Sequence, residues 1–186
     1  MNKVVLLYGK PSTGKLTIAN HIREQLQSRG RVCHVFDNHF FNDIVFPYVN
    51  VTKYLPKICE SVYKIREIFL DTLANCSDMQ DTTMVFTNVL IDSDDDRDSV
   101  RALKEFAKKL NAEFYLVQVV AGDDCILDWC DKEDRKKKQK LTDKDAMKSF
   151  ITKTKFMTIE DSFVINNVDK DNTMKIVDNF VENKLC

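Results

Sequence analysis

The feature that most constrains the fold is a short apolar run, followed at once by a glycine-rich loop and then by a helical pattern. The run Val4-Val5-Leu6-Leu7-Tyr8 is continuously apolar, which is typical of a strand buried on both faces. The loop Gly9-Lys10-Pro11-Ser12-Thr13-Gly14-Lys15 fits the pattern G-x-x-x-x-G-K. Apolar residues then recur at helical spacing from Leu16 to Leu26. This order of strand, loop and helix predicts a phosphate-binding loop.

The chemistry of phosphate binding explains the residue types in this loop. Glycines at both ends permit a tight turn whose backbone N–H groups converge on one anion. The helix that follows adds the positive end of its dipole and its unpaired N–H groups. Lys15 then contacts the β- and γ-phosphates of a bound nucleotide. The predicted ATP-binding residues of the loop are Gly9, Lys10, Pro11, Ser12, Thr13, Gly14, Lys15, Leu16 and Thr17.

The rest of the chain alternates between strand-sized apolar runs and amphipathic helical patterns. Further strands are predicted at 32–36, 84–91, 114–120 and 163–165. Further helices are predicted at 55–73, 98–110, 125–130, 142–155 and 173–181. Because parallel strands need crossovers of helix length, this alternation implies a mainly parallel sheet. The sequence predicts one three-layer α/β/α domain over residues 1–186, with five parallel strands and a short lid at about 131–141.

Composition and charge exclude several classes of partner. The chain of 186 residues has 28 Lys plus Arg against 29 Asp plus Glu. That balance argues against a general nucleic-acid coat or a polybasic membrane binder. The apolar runs are too short to span a bilayer, so we expect no membrane partner. Six scattered cysteines without a C-x-x-C pair indicate reduced thiols, and hence a cytoplasmic protein.

The residue after the loop lysine departs from the usual pattern. Leu16 stands where many such loops carry the Mg²⁺-binding Ser or Thr, and Thr17 follows it. The resulting pattern, G-x-P-x-x-G-K-x-T, resembles that of adenylate kinase and related nucleotide kinases. In that group the residue after the lysine needs no hydroxyl, and the metal is held largely through water. The resemblance therefore implies binding of ATP with Mg²⁺ despite Leu16.

A wider resemblance covers nearly the whole chain. It is carried by residues 8–17, Asp37-Asn38-His39 with Asp43 and Phe46-Pro47, residues 135–141 and Val164-Ile165-Asn166-Asn167. These segments resemble a family of small bacterial P-loop proteins that are labelled AAA-type ATPases or shikimate-kinase-like proteins. Members of that family usually show His-Asn-His where this chain has Asp37-Asn38-His39. Analogy with related kinases implies that Asn166 and Asn167 contact adenine.

The residues after the second predicted strand are candidates for catalysis. Ligands of open parallel sheets bind beyond the carboxyl ends of the strands, which is where Asp37, Asn38 and His39 fall. Shikimate kinase has an Asp-x-Asp pattern in the corresponding place. By that analogy Asp37 is the metal-supporting residue and His39 accepts the proton of the acceptor hydroxyl, as a neutral imidazole can near pH 7. The alternative is an Asx turn at Asp37 and Asn38, with His39 as a surface residue.

Aromatic and acidic residues that follow His39 are candidates for acceptor binding. Ligand pockets are largely apolar with a few placed polar groups, so Phe40 and Asp43 are predicted to contact the acceptor. The aromatic residues between 40 and 54 equally fit a core beneath a long connection.

Two charged runs follow the third and fourth predicted strands. In the acidic run at 92–98, Asp92 is a candidate metal ligand, but the preference of acidic residues for helix starts explains the run more simply. The basic run holds Arg135 and Lys140, and its position matches the lid of small kinases, where cations stabilise the transferring phosphoryl group. Arg135 has the planar fork suited to that role, and Lys140 is predicted to bind substrate. A solvated loop and RNA binding are the alternatives.

Together these features predict an ATP-dependent phosphotransferase with a small hydroxyl-bearing or nucleotide-like acceptor that the sequence does not identify. The predicted catalytic residues are Lys15, Asp37, His39 and Arg135. One alternative is a nucleotide-binding ATPase or regulatory switch with no small acceptor. Another is a kinase that acts on nucleic-acid ends or nucleotide sugars, although the neutral charge gives no reason to expect nucleic acid.

Overall fold

A parallel sheet forms the centre of the computed structural model, which describes residues 1–75, 81–137 and 140–186. The described strands are β1 (Lys3–Tyr8), β2 (Val32–Phe36), β3 (Thr82–Asn88), β4 (Glu113–Val120) and β5 (Phe163–Asn166). Their order across the sheet is β2-β3-β1-β4-β5, and every pair of neighbours is parallel. The predicted five-stranded parallel sheet is thereby confirmed.

Helices connect the strands and cover both faces of the sheet. They are α1 (Lys15–Ser28), α2 (Asn38–Asn42), α3 (Val51–Ala74), α4 (Asp94–Lys109), α5 (Asp123–Trp129), α6 (Glu133–Lys137), α7 (Lys144–Lys153) and α8 (Lys170–Phe180). A 3₁₀ turn at Phe46–Tyr48 precedes α3, and a π-helical turn at Val181–Leu185 follows α8. None of the helices in the described ranges is both long and apolar enough to cross a membrane.

The central strand β1 contributes to a separate core on each face of the sheet. Val5 and Leu7 pack with buried residues of α1 and α8 on one face. Val4, Leu6 and Tyr8 pack with buried residues of α3 and α4 on the other. Successive side chains of a strand point to opposite faces, so the continuous apolar run of β1 fills both cores. The predicted three-layer α/β/α architecture is confirmed.

The third strand is offset from its predicted range of 84–91. It spans Thr82–Asn88, because the buried residues Thr82 and Thr83 add two positions at the N-terminal end of the strand. Its end follows from pairing, since Asn88 is opposite Tyr8, the last residue of β1. Beyond Asn88 the neighbouring strand has become the glycine-rich loop, so the ladder stops. The apolar residues at 89–91 therefore lie outside the sheet.

The third helix is longer than the predicted range of 55–73. It begins at Val51, where the side chain of Asn50 accepts a hydrogen bond from the Lys53 N–H and caps the first turn. Pro56 lies inside this helix, and the backbone is kinked near it, with φ −118° and ψ 17° at Tyr54. A proline lacks the N–H that an unbroken helix needs, which accounts for the kink.

Replacing Gly9 by Ala should destabilise the fold, because a Cβ at that position would lie 2.2 Å from the backbone oxygen of Val119 in β4. Gly30→Ala is the matched control, since Gly30 also has a positive φ, of 73°, but nothing lies within 4 Å of its added Cβ. We expect the control to lose about 1–2 kcal/mol of unfolding free energy from backbone strain. Gly9→Ala should lose a further 1–3 kcal/mol or so from overpacking in urea titrations. Equal losses in the two variants would contradict this interpretation.

Candidate active site

A cavity of about 870 Å³ opens where the carboxyl ends of the strands meet. Its walls are the glycine-rich loop, the first residues of α2, the end of β3 and the start of α8, together with Trp129, Lys132, Arg135, Lys140 and Leu141. The volume is within the range of pockets that hold small molecules. The sheet topology therefore brings segments that are distant in sequence to one concave site.

The glycine-rich loop lines this cavity in a conformation that suits anion binding. Gly9, Ser12 and Gly14 all have positive φ angles, of 151°, 61° and 85°. Backbones that contain left-handed residues form concave nests of N–H groups for anions. The Ser12 hydroxyl is buried and has no hydrogen-bond partner among the described residues. Because buried hydroxyls are almost always paired, this one is suited to meet a ligand oxygen.

Lys15 lies inside the loop and bonds to the loop's own carbonyls. Its ammonium donates to the Gly9 carbonyl at 2.9 Å, to the Lys10 carbonyl at 2.5 Å and to the Thr13 hydroxyl at 3.3 Å. Burial lowers the pKa of Lys15 to about 7, and the charges of Lys140 and Arg135 act in the same direction. A bound phosphate would offer this lysine fully charged acceptors in place of neutral carbonyls, and hydrogen bonds between charged groups are the stronger ones.

Asn167, which follows β5, contacts the glycine-rich loop through its side chain. Its side-chain amide donates to the Thr13 carbonyl at 3.0 Å. A Cβ at Gly14 would lie 2.5 Å from the same amide nitrogen, so the second glycine is what allows this contact. The structure thus gives Asn167 a position on the cavity wall and a contact with the loop, while its predicted adenine contact stays a prediction. Asn166 is not among the described residues that line the cavity.

Asp37 lies on the cavity wall just before α2, with both carboxylate oxygens hydrogen-bonded. Oδ1 accepts from the Thr87 hydroxyl at 2.9 Å, and Oδ2 accepts from the Lys140 ammonium at 2.8 Å. Burial acts to raise the pKa of Asp37, but these hydrogen bonds and the charge of Lys140 bring it below its usual value. Asp37 is therefore an anion at neutral pH.

Thr87 is a site residue that the sequence analysis missed. It sits in β3 one residue before the end of the strand, and besides donating to Asp37 it accepts from the Asn38 N–H at 3.3 Å. It lies within the strand predicted at 84–91, whose apolar pattern gives a threonine no separate role. A buried polar residue at the carboxyl end of a central strand is the signal that points to it.

The donor set at Asp37 fits Mg²⁺ held mainly by ligand oxygens and water. The ranges that the structure describes contain no group of three His, Cys, Asp or Glu side chains that would bind a metal on its own. Mg²⁺ at phosphate sites needs only one or two carboxylates in addition to phosphate oxygens and water. The ionised Asp37 meets that requirement, whereas Leu16 offers no oxygen. Asp92 pairs with Arg97 and Lys155 and does not line the cavity.

His39 lies in α2 on the same wall, with 19% of its side chain exposed. Its Nδ1 is buried without a hydrogen-bond partner in the described ranges and lies 3.7 Å from Oδ1 of Asp43. Burial lowers the pKa of His39, and the charge of Lys140 adds to this effect. His39 is therefore a neutral imidazole at pH 7 that is able to accept a proton.

Asp43 and Phe40, which were predicted to contact the acceptor, do not line the cavity among the described residues. Asp43 lies beside His39, as its carboxylate distance shows. Phe40 is about half exposed and packs edge-on against Phe36 and Phe41. The structure therefore brings these two residues next to the site, and their acceptor contacts stay predictions. Phe46 and Leu55 line the cavity instead.

The lid segment, residues 131–141, carries two predicted site residues that both reach the cavity; its residues 138 and 139 lie outside the described ranges. The Arg135 guanidinium donates to the carbonyls of Cys130 and Leu141, each at 3.0 Å. Lys140 pairs with Asp37, as described above.

The charge that lines the cavity is strongly positive. The cationic side chains on its described walls are Lys15, Lys132, Arg135, Lys140 and Lys170. Asp37 is the one carboxylate among the described residues that line it. Since the net charge of the chain is −1, this positive charge is local to the site. Such a cavity suits a polyanion such as a nucleoside triphosphate.

Comparisons with known proteins identify the fold. No family model matches the chain, and no curated protein matches it. Solved structures do match over almost its whole length. Shikimate kinase from Acinetobacter baumannii, in complex with shikimate, is 18% identical with a TM-score of 0.51, and the match covers 100% of this chain and 97% of that one.

Two further matches are solved with nucleotides. The APS kinase CysC of Mycobacterium tuberculosis, in complex with AMPPNP and APS, is 14% identical, with 97% of this chain and 98% of that chain covered and a TM-score of 0.59. Kti12 of Chaetomium thermophilum, in complex with ADP-AlF₃, is 13% identical, with 98% and 99% covered and a TM-score of 0.57. At these identities the likeness concerns the fold. The chain has the fold of the P-loop kinases, as the resemblance in its sequence implies.

Proposed function

We propose that the protein is an ATP-dependent phosphotransferase that moves the γ-phosphate of ATP to a small hydroxyl-bearing or nucleotide-like acceptor. The observation that carries the proposal is that one cavity joins the phosphate-binding loop to Asp37 and His39. A volume of about 870 Å³ leaves room for an acceptor beside the triphosphate. The match to kinases solved with shikimate and with APS supports the choice of a small acceptor.

The donor side of the cavity would bind the triphosphate. The backbone N–H groups of the loop and the buried Ser12 hydroxyl meet the phosphate oxygens, and Lys15 exchanges its carbonyl partners for the β- and γ-phosphates. Asp37 would hold Mg²⁺ through water. When bound, Mg²⁺ neutralises negative charge on the β- and γ-phosphate oxygens.

The acceptor side would supply the base. The acceptor hydroxyl oxygen forms a bond to the γ-phosphorus while its proton passes to the neutral His39 imidazole. The bond from the γ-phosphorus to the bridging oxygen breaks, and ADP leaves with that electron pair. Little covalent chemistry falls to the protein, so positioning and electrostatic stabilisation provide most of the rate.

A screen of metabolites tests the proposal directly. The protein is incubated with Mg²⁺, ATP and a cell metabolite extract, and mass spectrometry looks for compounds that gain one phosphate. We expect such a compound with the wild-type protein and with Lys104→Ala, which alters an exposed lysine of α4. Lys15→Ala should abolish the product, because it removes the cation that holds the γ-phosphate. Phosphorylation that persists in Lys15→Ala would refute the mechanism, and ATP hydrolysis without any acceptor product would favour an ATPase switch.

Replacing His39 by Gln should reduce transfer far more than it weakens ATP binding. Loss of a general base lowers the turnover number by about 10²–10⁴-fold. The dissociation constant of ATP should change little, because His39 is assigned to the acceptor side. The measurement compares both constants with those of His34→Gln, which alters an exposed histidine of β2. Parallel losses in turnover and ATP affinity would argue against a base.

Affinity for MgATP should depend on pH through Lys15. The pKa of Lys15 is about 7 in the free protein, and bound phosphates raise it. The complex therefore holds more protons than the free protein above pH 7, so affinity is fully present below that pH and falls by up to about tenfold per unit above it. Titrations of binding between pH 6 and 9 measure this slope. Lys15→Arg, which keeps its charge throughout, should remove the slope, and a slope that survives in Lys15→Arg would exclude Lys15 as its source.

A further inference from the structure

Among the described residues of the lid segment, Lys140 is a cation that pairs with a member of the proposed catalytic set, Asp37. Its ammonium lies 2.8 Å from Oδ2 of Asp37, although the two residues are 103 positions apart in sequence. Both side chains are largely buried, with 13% and 15% of their surfaces exposed. Lys132, by contrast, is exposed and lies over the Trp129 ring.

The position of Lys140 is also close to the two other groups that phosphoryl transfer would use. Among charged neighbours, Lys140 has the largest effect on both Lys15 and His39, and it lowers the pKa of each. Lys15, His39 and Lys140 also line the same cavity. A γ-phosphoryl group bound there between Lys15 and His39 would share the cavity with the Lys140 ammonium.

Arg135 is bonded so as to shape the lid segment around Lys140. Its guanidinium donates to the carbonyls of Cys130, which directly precedes the segment, and Leu141, its last residue. Its own carbonyl accepts the backbone N–H of Lys140 at 3.1 Å. These contacts fix the backbone from which Lys140 projects.

We propose that Lys140, held by Asp37 in the free protein, is a lid cation whose ammonium moves from Asp37 to the γ-phosphoryl group and stabilises the charge of that group. Arg135 is a positioning residue that acts through Lys140. This inference rests on the proposed phosphotransferase function. A phosphoryl group carries more negative charge than a carboxylate, and the flexible lysine stem allows a short move from one to the other.

A mimic of the transferring phosphoryl group tests this assignment without an acceptor. We would measure the dissociation constant of ADP with Mg²⁺, alone and with aluminium fluoride. In Lys140→Met the affinity for ADP alone should change by less than about threefold, which also reports that the variant is folded. The added affinity from aluminium fluoride should fall about 100-fold, the usual effect of losing one transition-state contact. Lys140→Arg should restore part of it.

The matched control is Lys136→Met, which alters an exposed lysine of α6 that pairs with Glu133. This variant should retain the full effect of aluminium fluoride. If Lys140→Met also retains it while Lys15→Ala loses it, the role of Lys140 is refuted and the proposed function stands. If the wild-type protein gains no affinity from aluminium fluoride, the proposed function is contradicted, and the role of Lys140 with it.

A double-mutant cycle separates the contributions of Arg135 and Lys140 to the effect of aluminium fluoride. Arg135→Gln alone should reduce the effect of aluminium fluoride, because Lys140 is no longer held in place. In the Lys140→Met background the same change should have almost no further effect, since Arg135 acts only through Lys140. Losses that add in the double variant would show that Arg135 contacts the phosphoryl group independently, and would overturn its assignment as a positioning residue.

Discussion

The close approach of the glycine-rich loop to the sheet is the constraint on which the site depends. A Cβ at Gly9 would collide with the backbone of β4, and one at Gly14 would collide with the Asn167 amide. The loop is therefore fixed between the fourth strand and the residue that follows the fifth. This fixed loop encloses Lys15 and sets the floor of the cavity. Side chains from the other strand ends are arranged around that floor.

The charged side chains of the cavity have partners that a bound polyanion could replace. Without a ligand, Lys15 is bonded to carbonyl dipoles, Lys140 is bonded to Asp37, and His39 is neutral. Each cation thus has a partner that a phosphate oxygen can replace. Burial makes this exchange favourable, because Lys15 is desolvated before any ligand arrives and its pKa is already reduced to about 7. The cavity is in this sense organised for a polyanion.

The sequence was sufficient to predict features that depend on residues close together in the chain. The loop from Gly9 to Lys15 is contiguous, and the alternation of strands and helices implied a parallel sheet that the structure confirms. Contacts between distant segments were not predictable: the Asp37–Lys140 pair depends on how the lid segment folds back, and Thr87 becomes a site residue only because β3 lies beside β2. The third strand was offset because the end of β1, rather than the apolar pattern, decides where pairing stops.

In the proposed mechanism, donor and acceptor chemistry meet in one cavity, between Lys15 and His39. A crystal structure of the protein with ADP, Mg²⁺ and aluminium fluoride tests this most directly. We expect the β-phosphate in the loop between Gly9 and Lys15, with the fluoride group between the Lys15 ammonium and the His39 ring. We also expect Lys140 to have moved from Asp37 to that group. A nucleotide bound outside the loop, or a fluoride group remote from His39 with the Asp37–Lys140 pair intact, would contradict the proposed mechanism.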